Sequence, residues 1–397
     1  MSFENFGLDA RLLGGIKSAG FATPTPIQEQ AIPTIMDGRD VMGLAQTGTG
    51  KTAAFVLPIL QRLTTGPLRQ MRALIIAPTR ELAEQIHQDT RELGRNAKIR
   101  SAAIYGGVSK GPQIKALRSG TEVIIACPGR LLDLTHEGHV DYSRVEIFVL
   151  DEADRLFDMG FLPDIRRIIS KLPRQRQTLF FSATMPKDIQ RLANQELKDQ
   201  ATIQIGSIAP ARTVSHALFP VPNNLKKDLL LHMLDNTATG RVLIFTRTKY
   251  RARNVARDLQ KKGYRAAALQ GNMSQSQRQR AIDGFRRGKF DILAATDVAS
   301  RGIDVADISH VINFDMPDTA DAYIHRIGRT GRAHQSGQAY TFAASDDEAM
   351  VYQIEKAIGS PIERRRMGGF DYGVFQPEVR PAKKTVYSTP RGRRPRR

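Results

Sequence analysis

The sequence predicts an α/β protein with two tandem domains, each built on a parallel sheet. Short apolar runs alternate with helix-like segments through most of the 397 residues. Such alternation is typical of βαβ units, and an uninterrupted apolar run fits a strand buried on both faces of a parallel sheet. A chain of this length commonly forms two globular domains. Its 41% hydrophobic residues suffice for a core in each.

The apolar runs fall into two series that indicate where the domains lie. The first lies near residues 40–45, 73–77, 122–126, 147–150 and 178–182, and the second near 241–246, 265–269, 290–295, 310–314 and 338–343. Residues 206–215 have no clear period, and we place a linker there between domains at 1–205 and 216–360. Beyond residue 360 the pattern disappears, so residues 361–397 are predicted to be a disordered, basic tail.

The charge of the chain favours a polyanionic partner. The formal net charge is +19, and residues 361–397 contribute eleven Lys or Arg against three Asp or Glu. The remaining charge of +11 belongs to residues 1–360, so nucleic acid is the first expectation and an anionic membrane the second. A single cysteine excludes an intramolecular disulfide. We see no export signal and no apolar stretch of about 18 residues, so the chain is expected to be soluble and cytoplasmic.

An acidic turn follows the apolar run at residues 147–150. Asp151 and Glu152 come directly after this run, and ligand crevices in open α/β sheets lie at the carboxyl ends of strands. Two carboxylates there suit a metal–phosphate site, in which one holds Mg²⁺ and the other activates a nucleophile. A solvated acidic turn is the alternative on this segment alone.

A phosphate cradle is predicted between an apolar run and a helical pattern. The segment comprises Ala45, Gln46, Thr47, Gly48, Thr49, Gly50, Lys51 and Thr52. Glycines let backbone N–H groups turn toward phosphate oxygens, and the following helix presents its N-terminus to the same charge. Lys51 would reach the β- and γ-phosphates and Thr52 would bind Mg²⁺. Together, cradle and acidic turn indicate an ATPase or GTPase; a turn without a ligand is the alternative for the cradle alone.

A basic segment in the second domain can supply positive charge. Arg326, Arg329 and Arg332 recur every third residue, which would put them on one side of a helical turn. Gly328 and Gly331 are poor residues for a surface helix and fit a backbone that approaches another group closely. A solvated basic face is the alternative.

With these sites in view, the chain resembles a DEAD-box ATP-dependent RNA helicase of superfamily 2, across nearly all of residues 3–345. Residues 151–154 read Asp-Glu-Ala-Asp, the motif that names the family. The resemblance implies two RecA-like domains with ATP bound between them. Residues 154–161, Asp-Arg-Leu-Phe-Asp-Met-Gly-Phe, suggest the bacterial RhlE-type subgroup.

The resemblance assigns the ATP site. It implies that Gln28 reads the adenine edge beside Phe21, that Asp151 holds Mg²⁺ partly through water, and that Glu152 positions the attacking water. Arg329 and Arg332 would be arginine fingers on the γ-phosphate, and Gly302 and Asp304 would face the ribose. The residues that would couple ATP binding to RNA binding and to closure of the domains are Asp154, Ser182, Thr184 and His325.

The resemblance also implies an RNA groove that reads phosphate and ribose rather than bases. The matching positions are Thr79, Arg80, Gly107, Pro128, Arg130, Gly271, Gln275, Arg278 and Thr296. Such residue types bind backbone without strong sequence preference, and contact with the 2′-OH favours RNA over DNA. Cys127 stands where the family commonly has Thr, and a thiol is a weak donor.

The expected function is RNA-stimulated ATP hydrolysis coupled to domain closure and to unwinding of short duplexes or remodelling of ribonucleoproteins. One alternative is an ATP-gated RNA clamp that would use the same residues, and the other is a DNA translocase on the same tandem architecture. The basic tail would anchor RNA, or else only keep the chain soluble. We expect a monomer without a membrane partner, and ribosome-assembly or RNA-degradation proteins are candidate partners.

Overall fold

Two parallel sheets organise the chain in the computed structural model, which describes residues 2–45, 48–205, 214–237, 240–300, 305, 308–331 and 336–376. The first sheet contains β1 (Val41–Leu44), β2 (Ala73–Ile76), β3 (Ser101–Ile104), β4 (Val123–Ala126), β5 (Ile147–Leu150), β6 (Gln177–Ser182) and β7 (Ala201–Gln204). Its strand order is β3-β4-β2-β5-β6-β1-β7, and every pairing is parallel.

The second sheet repeats this topology. Its strands are β8 (Val214–Pro220), β9 (Arg241–Phe245), β10 (Ala266–Leu269), β11 (Ile292–Ala295), β12 (Ile308–Asn313), β13 (Gly337–Ala343) and β14 (Glu363–Arg364). Their order is β10-β11-β9-β12-β13-β8-β14, again with parallel pairing. Numbered from the first strand of each sheet, both orders read 3-4-2-5-6-1-7. The predicted α/β class with two parallel sheets is confirmed.

Helices connect the strands, as parallel pairing requires. In the first unit they are α1 (Ala10–Ser18), α2 (Pro26–Met36), α3 (Lys51–Leu63), α4 (Arg80–Leu93), α5 (Gly111–Arg118), α6 (Pro128–His136), α7 (Ala153–Asp158), α8 (Leu162–Ile169) and α9 (Lys187–Glu196). In the second unit they are α10 (Lys226–Asn236), α11 (Lys249–Lys261), α12 (Gln275–Arg286), α13 (Asp297–Ser300), α14 (Ala320–Ile327) and α15 (Glu348–Ile358). None of the helices in the described part of the chain is both long and apolar enough to cross a membrane.

Each sheet has a hydrophobic core on both faces, which explains the uninterrupted apolar runs. In β5, Ile147 and Val149 belong to the core on one face, and Phe148 and Leu150 to the core on the other. All four side chains are at most 1% exposed. Successive side chains of a strand point to opposite faces, so a strand covered on both sides favours apolar residues at consecutive positions.

Four strands lie outside the predicted apolar runs. β3 and β7 form the two edges of the first sheet, and their sequences Ser-Ala-Ala-Ile and Ala-Thr-Ile-Gln are only partly buried. β8 mixes polar and apolar residues, and β14 has two residues at an edge. Hydrophobic runs therefore identified the strands that are buried along most of their length, including the edge strand β10, and missed those with more exposed or polar residues.

Two predicted boundaries were wrong in detail. β8 begins at Val214, so the last two residues of the predicted linker belong to the second sheet; residues 206–213 lie outside the described residues. The ordered chain also continues past residue 360. Ile362 and Tyr372 are each 2% exposed, and only residues 377–397 of the predicted tail lie outside the description.

Residues 365–376 form a segment that we call the aromatic clasp. The ring of Phe370 meets that of Tyr372 edge to face at 4.8 Å and lies 5.6 Å from the His232 ring on α10. The Tyr372 hydroxyl accepts a hydrogen bond from the Met367 N–H at 3.0 Å, which satisfies its polar atom beside the core. Scattered aromatics between glycines carry no helix or strand period, so the sequence pattern gave no sign of this packing.

Candidate functional site

The phosphate cradle lies between β1 and α3. Gly48 and Gly50 have φ angles of 85° and 92°, in the left-handed region that glycine adopts most readily. A Cβ on Gly50 would also lie 2.5 Å from Nε2 of Gln28. Lys51 is the first residue of α3, is 6% exposed, and donates from Nζ to the Ala45 carbonyl at 2.7 Å. Gln46 and Thr47 lie outside the described residues.

Gln28 links the predicted adenine site to the cradle. Its side chain is fully buried in α2. Oε1 accepts from the Thr25 N–H at 2.9 Å, and Nε2 donates to the Gly50 carbonyl at 3.0 Å. A primary amide has two N–H donors and an oxygen with two lone pairs, so one donor and one acceptor position are left for a ligand. Phe21 is 38% exposed and meets Phe3 edge to face at 6.2 Å.

The acidic turn at the end of β5 holds Glu152 in an uncommon backbone conformation. Its φ of 49° is left-handed, a conformation that costs a non-glycine residue roughly 1–2 kcal/mol. The Glu152 N–H donates to Oδ1 of Asp151 at 2.9 Å, and Oε2 of Glu152 pairs with Nη1 of Arg155 at 2.7 Å. These contacts fix the carboxylate direction, and strain of this kind is commonly found at active sites.

Burial and neighbouring charges act differently on the two carboxyl groups. Burial raises the pKa of Asp151 to about 7; the Lys51 charge opposes this rise and the Glu152 charge adds to it. Burial would also raise the pKa of Glu152, but the charges of Arg155, Lys51 and Arg329 hold it below its ordinary value. Glu152 is therefore ionised at neutral pH, as a residue that orients or deprotonates water must be.

The donor set fits a magnesium ion shared with bound phosphates. Mg²⁺ in such sites takes one or two carboxylates together with phosphate and water oxygens. Asp151 is 2% exposed and Thr52 lies in the first turn of α3. A divalent cation would stabilise the ionised form that burial of Asp151 disfavours. Among the described residues there is no group of three His, Cys, Asp or Glu that could hold a metal ion.

Asp154 ties the acidic turn to the end of β6 and faces the second unit. Its Oδ2 accepts from the N–H groups of Ala183 and Thr184, each at 3.0 Å, and from the Thr184 hydroxyl at 3.3 Å. The Asp154 N–H donates to Oγ of Ser182 at 3.2 Å. Nε2 of His325, on α14 of the second unit, lies 3.7 Å from the same Oδ2. The structure thus brings all four predicted coupling residues together.

His325 is held neutral at this junction. Burial, assisted by the charge of Arg155, lowers its pKa to about 3. A neutral imidazole can donate one hydrogen bond without carrying a charge into the buried site. The contact with Asp154 is therefore that of a polar group beside a carboxylate rather than a full ion pair.

Arg326 and Arg329 do not share one face of a helix, contrary to the sequence prediction. α14 ends at Ile327 with Gly328 as its C-cap, so Arg329 follows the helix, and Arg332 lies outside the described residues. Arg326 is structural: Nε and Nη2 each donate to Asp297 at 2.6 Å, and Nη1 donates to the Asp315 carbonyl at 2.7 Å. Arg329 is 4% exposed, and its charge acts on Glu152 of the first unit.

The predicted RNA residues of the first unit follow three adjacent strands. Thr79 caps α4 after β2, Gly107 follows β3, and Pro128 begins α6 after β4. A Cβ on Gly107 would lie 2.2 Å from Nη1 of Arg80, so the glycine leaves room for this guanidinium. Arg130 donates from both Nη atoms to the Val108 carbonyl, at 3.1 and 3.2 Å. β3, β4 and β2 are neighbouring parallel strands, so these residues lie side by side at the carboxyl ends of the strands.

The predicted RNA residues of the second unit follow the corresponding strands. Gly271 comes after β10, and Thr296 after β11, with Gln275 at the start of α12. Arg278 contacts the first unit directly: Nε lies 2.5 Å from Oε1 of Glu81, and Nη2 donates to the Ala299 carbonyl at 2.6 Å. The sequence assigned Arg278 to RNA and did not predict this ion pair. Gly302 and Asp304 lie outside the described residues.

The sequence analysis did not predict the ion pairs of two residues at the site, and only one of these pairs has a local sequence signal. Arg155 could have been found, because its spacing of three from Glu152 allows an ion pair within one helical turn. Glu81 had no such signal, since its partner Arg278 is 197 residues away. Contacts between the two units depend on tertiary structure and leave no local pattern.

Comparisons with known proteins identify helicase families in both units. A family model described as DEAD/DEAH box helicase matches residues 25–192, and one described as helicase conserved C-terminal domain matches residues 225–334. DEAD-box ATP-dependent RNA helicase 30 of Arabidopsis thaliana is 43% identical over 363 residues. The match covers 90% of this chain, which spans about three fifths (61%) of the length of that relative.

Two solved structures of the S. cerevisiae protein Dbp5 match this chain over both units, with different TM-scores. S. cerevisiae Dbp5 bound to RNA and ADP BeF3 is 32% identical, with a TM-score of 0.84 and coverage of 92% of this chain and 95% of that chain. A singly substituted form of Dbp5 bound to Nup159, a variant of Gle1, IP6 and ADP, at 31% identity, has a TM-score of 0.64 with coverage of 92% and 96%. Motifs, fold and identity agree, and the chain belongs to the DEAD-box ATP-dependent RNA helicase family.

Proposed function

We propose that the chain is an RNA-stimulated ATPase that closes its two units around ATP and RNA and thereby separates short RNA duplexes. The observation that carries this proposal is that positive charges from both units act on the proposed catalytic carboxylate, that of Glu152. Arg155 pairs with Glu152 within the first unit, whereas the charge of Arg329 reaches Glu152 from the second unit. ATP turnover would therefore require closure.

The residues of the chain have distinct roles in the proposed reaction. Lys51 binds the β- and γ-phosphates, and Glu152 orients the attacking water and accepts its proton. Arg329, with Arg332, stabilises the charge that develops on the transferred phosphoryl group. Asp151 and Thr52 would hold Mg²⁺, which when bound neutralises phosphate charge. Gln28 and Phe21 select adenine, which favours ATP over GTP, and Gly302 and Asp304 would face the ribose.

RNA binding is proposed along the carboxyl ends of β3, β4 and β2 in one unit and β10 and β11 in the other. Support comes from the match to Dbp5, which is closer for the complex with RNA and ADP BeF3 than for the complex with Nup159, Gle1, IP6 and ADP. The contact between Arg278 and Glu81 also requires the units to be close together. A strand laid across both units would be bent when they close.

Several narrower assignments accompany this proposal. The domain units are taken as residues 1–205 and 214–376, and residues 377–397 as a basic RNA anchor. Residues 154–161 are the basis for proposing the bacterial RhlE-type subgroup. The Arabidopsis thaliana relative is eukaryotic and gives no evidence for that subgroup. A monomer in the cytoplasm that takes part in ribosome assembly or RNA turnover fits the basic charge of the chain.

The Glu152→Gln variant tests the catalytic assignment. Gln keeps the size of the side chain but cannot accept a proton, so ATP turnover should fall by about 10²–10⁴-fold while ATP and RNA stay bound. Steady-state hydrolysis and RNA retention measure this, with Glu137→Gln, an exposed glutamate on the surface, as the matched control. Normal turnover in Glu152→Gln would refute the role.

Strand displacement on short duplexes separates the proposed helicase from its alternatives. A helicase releases strands with ATP, whereas an ATP-gated clamp holds RNA without releasing them. RNA and DNA of equal length, compared as stimulators of ATP hydrolysis, distinguish an RNA enzyme from a DNA translocase. Stimulation by DNA alone would overturn the RNA assignment.

A further inference from the structure

A large groove lies on the second unit, outside the site described above. α11 forms one wall, α12 forms the other, and β10 forms the floor; we call it the α11–α12 groove. Its volume is about 890 Å³. β10 is an edge strand of the second sheet, so the groove runs along the side of the sheet rather than between the two units.

Small residues make the groove deep. Ala267 and Ala268 of β10 form part of its floor, and Ala256 and Gly284 line the two walls. A Cβ on Gly284 would lie 2.6 Å from the Phe290 ring, so the glycine lets this aromatic ring pack against α12. Phe290 remains partly exposed at the groove, where an aromatic face can stack on a base.

The walls of the groove carry a surplus of positive charge. Arg253 and Arg257 are four residues apart on α11 and so share a helix face. Arg280 lies on α12, and Arg287 follows that helix as its C-cap. All four arginines are exposed and line the groove. Asp283 is the one acidic residue among the α12 residues of the wall. Positive rims above an apolar floor match the groove of a single-stranded nucleic-acid binder.

Most of this charge is not neutralised by the described part of the chain. Arg253 and Arg287 make no side-chain hydrogen bond or ion pair with a described residue, and Arg280 donates only to the Ser276 carbonyl at 3.2 Å. Arg257 lies 3.7 Å from Asp258, which also pairs with Lys227. Asp283 is in turn engaged by Gln279 and Arg286. Clustered cations without local partners favour an anionic ligand.

The groove is continuous with the proposed RNA track. Asn272, which lines the groove, directly follows Gly271, a predicted RNA residue, and α12 begins at Gln275, another of them. Arg278 contacts Glu81 of the first unit from the same helix, whereas Arg280 and Arg287 line the groove. A strand that passes the N-terminus of α12 can therefore continue along the outer side of that helix.

We propose that the α11–α12 groove binds the sugar–phosphate backbone of the RNA segment next to the one held between the units. This inference rests on the proposed function, because the track through the cleft supplies the strand. The groove extends the footprint on RNA beyond the catalytic cleft, and it does so without reading sequence, because arginines on its walls meet phosphates. An acidic peptide is the competing ligand of different class.

The test compares two RNAs and two matched variants of the full chain. The groove variant is Arg253→Gln/Arg257→Gln/Arg287→Gln, and the control is Arg166→Gln/Arg167→Gln/Arg191→Gln, which removes the same charge from exposed residues of α8 and α9. One RNA has about 6 nucleotides, enough for the cleft, and the other about 16, within the range of known single-strand sites. Affinity is measured over a series of salt concentrations.

The groove variant should bind the short RNA as the control does and the long RNA at least about tenfold more weakly. Its log–log salt slope for the long RNA should be smaller by about 2, since each phosphate contact with single strands contributes about 0.7. Equal long-RNA affinities of the two variants would overturn the proposal. So would binding of a Glu-rich peptide, instead of RNA, that depends on the three arginines.

ATP hydrolysis stimulated by the short RNA is measured in the same preparations. Its presence in both variants shows that the cleft works, so a loss confined to long RNA is assigned to the groove. Absence of stimulation in the unchanged chain would refute the proposed function instead. Failure of the groove proposal and failure of the proposed function therefore give different results.

Discussion

Asp154 has a fixed set of partners that suits a coupling role. Its Oδ2 accepts three hydrogen bonds from Ala183 and Thr184 and lies 3.7 Å from Nε2 of His325. A movement of the loop after β6 would change this carboxylate directly, and through it the contact with the second unit. The sequence predicted that these residues belong together, and the resemblance supplied that prediction. Spacing alone could not, because Asp154 and His325 are 171 positions apart in the sequence.

Cys127 departs from the family pattern and allows a direct test of its surroundings. Burial raises its pKa to about 12, and the charge of Glu81 contributes to the rise. Only the thiolate reacts with alkylating reagents, so at pH 8 the folded chain should react about 10³-fold more slowly than the unfolded chain. The single cysteine makes the labelling rate specific to this position.

The pH dependence of the alkylation rate distinguishes a raised pKa of Cys127 from poor access of the reagent to its thiol. The folded rate should keep rising between pH 9 and 11, because the thiol is still mostly protonated, whereas the rate in denaturant levels off above its ordinary value of 9.0. Iodoacetamide labelling followed by mass spectrometry measures both profiles. A folded profile that levels off near pH 9 would show that the pKa of Cys127 is not raised in the folded chain.

At the scale of elements, the loop between β1 and α3 depends on Gly50. Alanine there must adopt a φ of 92° and place its Cβ 2.5 Å from Gln28. Gly50→Ala should therefore weaken ATP binding about tenfold or more, since backbone strain and the displaced Gln28 amide each cost about 1 kcal/mol or more. Titration with a fluorescent ATP analogue measures the change.

Gly263→Ala is the matched control for backbone strain. Gly263 has a φ of 89° with nothing within 4 Å of an added Cβ, so alanine there meets the strain without the clash. It should lower the thermal midpoint slightly and leave ATP affinity unchanged. Equal ATP affinities of the two variants would contradict the link between Gly50 and Gln28.

The aromatic clasp should contribute to the stability of the second unit. Tyr372 is 2% exposed and contacts Phe370 and Arg366, the latter through a guanidinium 5.0 Å from its ring. Tyr372→Ala should destabilise this unit by about 3–5 kcal/mol, the usual cost of deleting a buried aromatic ring. Tyr352→Ala, at a residue 68% exposed on α15, should cost less than about 0.5 kcal/mol. Similar thermal midpoints in the two variants would show that the clasp does not stabilise the fold.

Elements differed in how well the sequence predicted them. β5 and β6 are buried at every position. β5 is apolar throughout, and β6 has the apolar run 179–181 between buried polar residues at its two ends. The edge strand β7, with Thr202 and Gln204 exposed, has no such run. The clasp is held by ring packing and one hydroxyl, for which no periodic signal exists. Predictability therefore followed the degree of burial.

At the scale of the whole molecule, the ion pair between Glu81 and Arg278 should stabilise closure. The two side chains are 9% and 14% exposed, and each belongs to a different unit. Glu81→Gln and Arg278→Gln should each lower RNA-stimulated ATP turnover, and the double variant should be hardly worse than either single one. A coupling of about 0.5–3 kcal/mol is usual for contacting residues. Additive losses in the double-mutant cycle would show that the pair does not act as a unit.

A matched pair confined to one unit serves as the control. Arg176 donates to Glu196 at 2.7 Å, and both residues belong to the first unit. Arg176→Gln and Glu196→Gln should leave stimulated turnover within about twofold of the unchanged chain, since closure does not alter their contact. Fluorescence energy transfer between labels on the two units reports closure independently of hydrolysis.

The identical strand order of the two sheets points to an ancestral duplication followed by division of labour. In the first copy, the connection after the first strand is the glycine-rich phosphate cradle. In the second copy, the equivalent connection after β8 reads Val-Pro-Asn-Asn-Leu over residues 221–225 and contains neither glycine nor lysine. The proposed phosphate site therefore belongs to the first copy only, and the second copy contributes Arg329 to the proposed reaction. Although its two units share one strand order, the chain is therefore expected to bind one nucleotide per molecule rather than two.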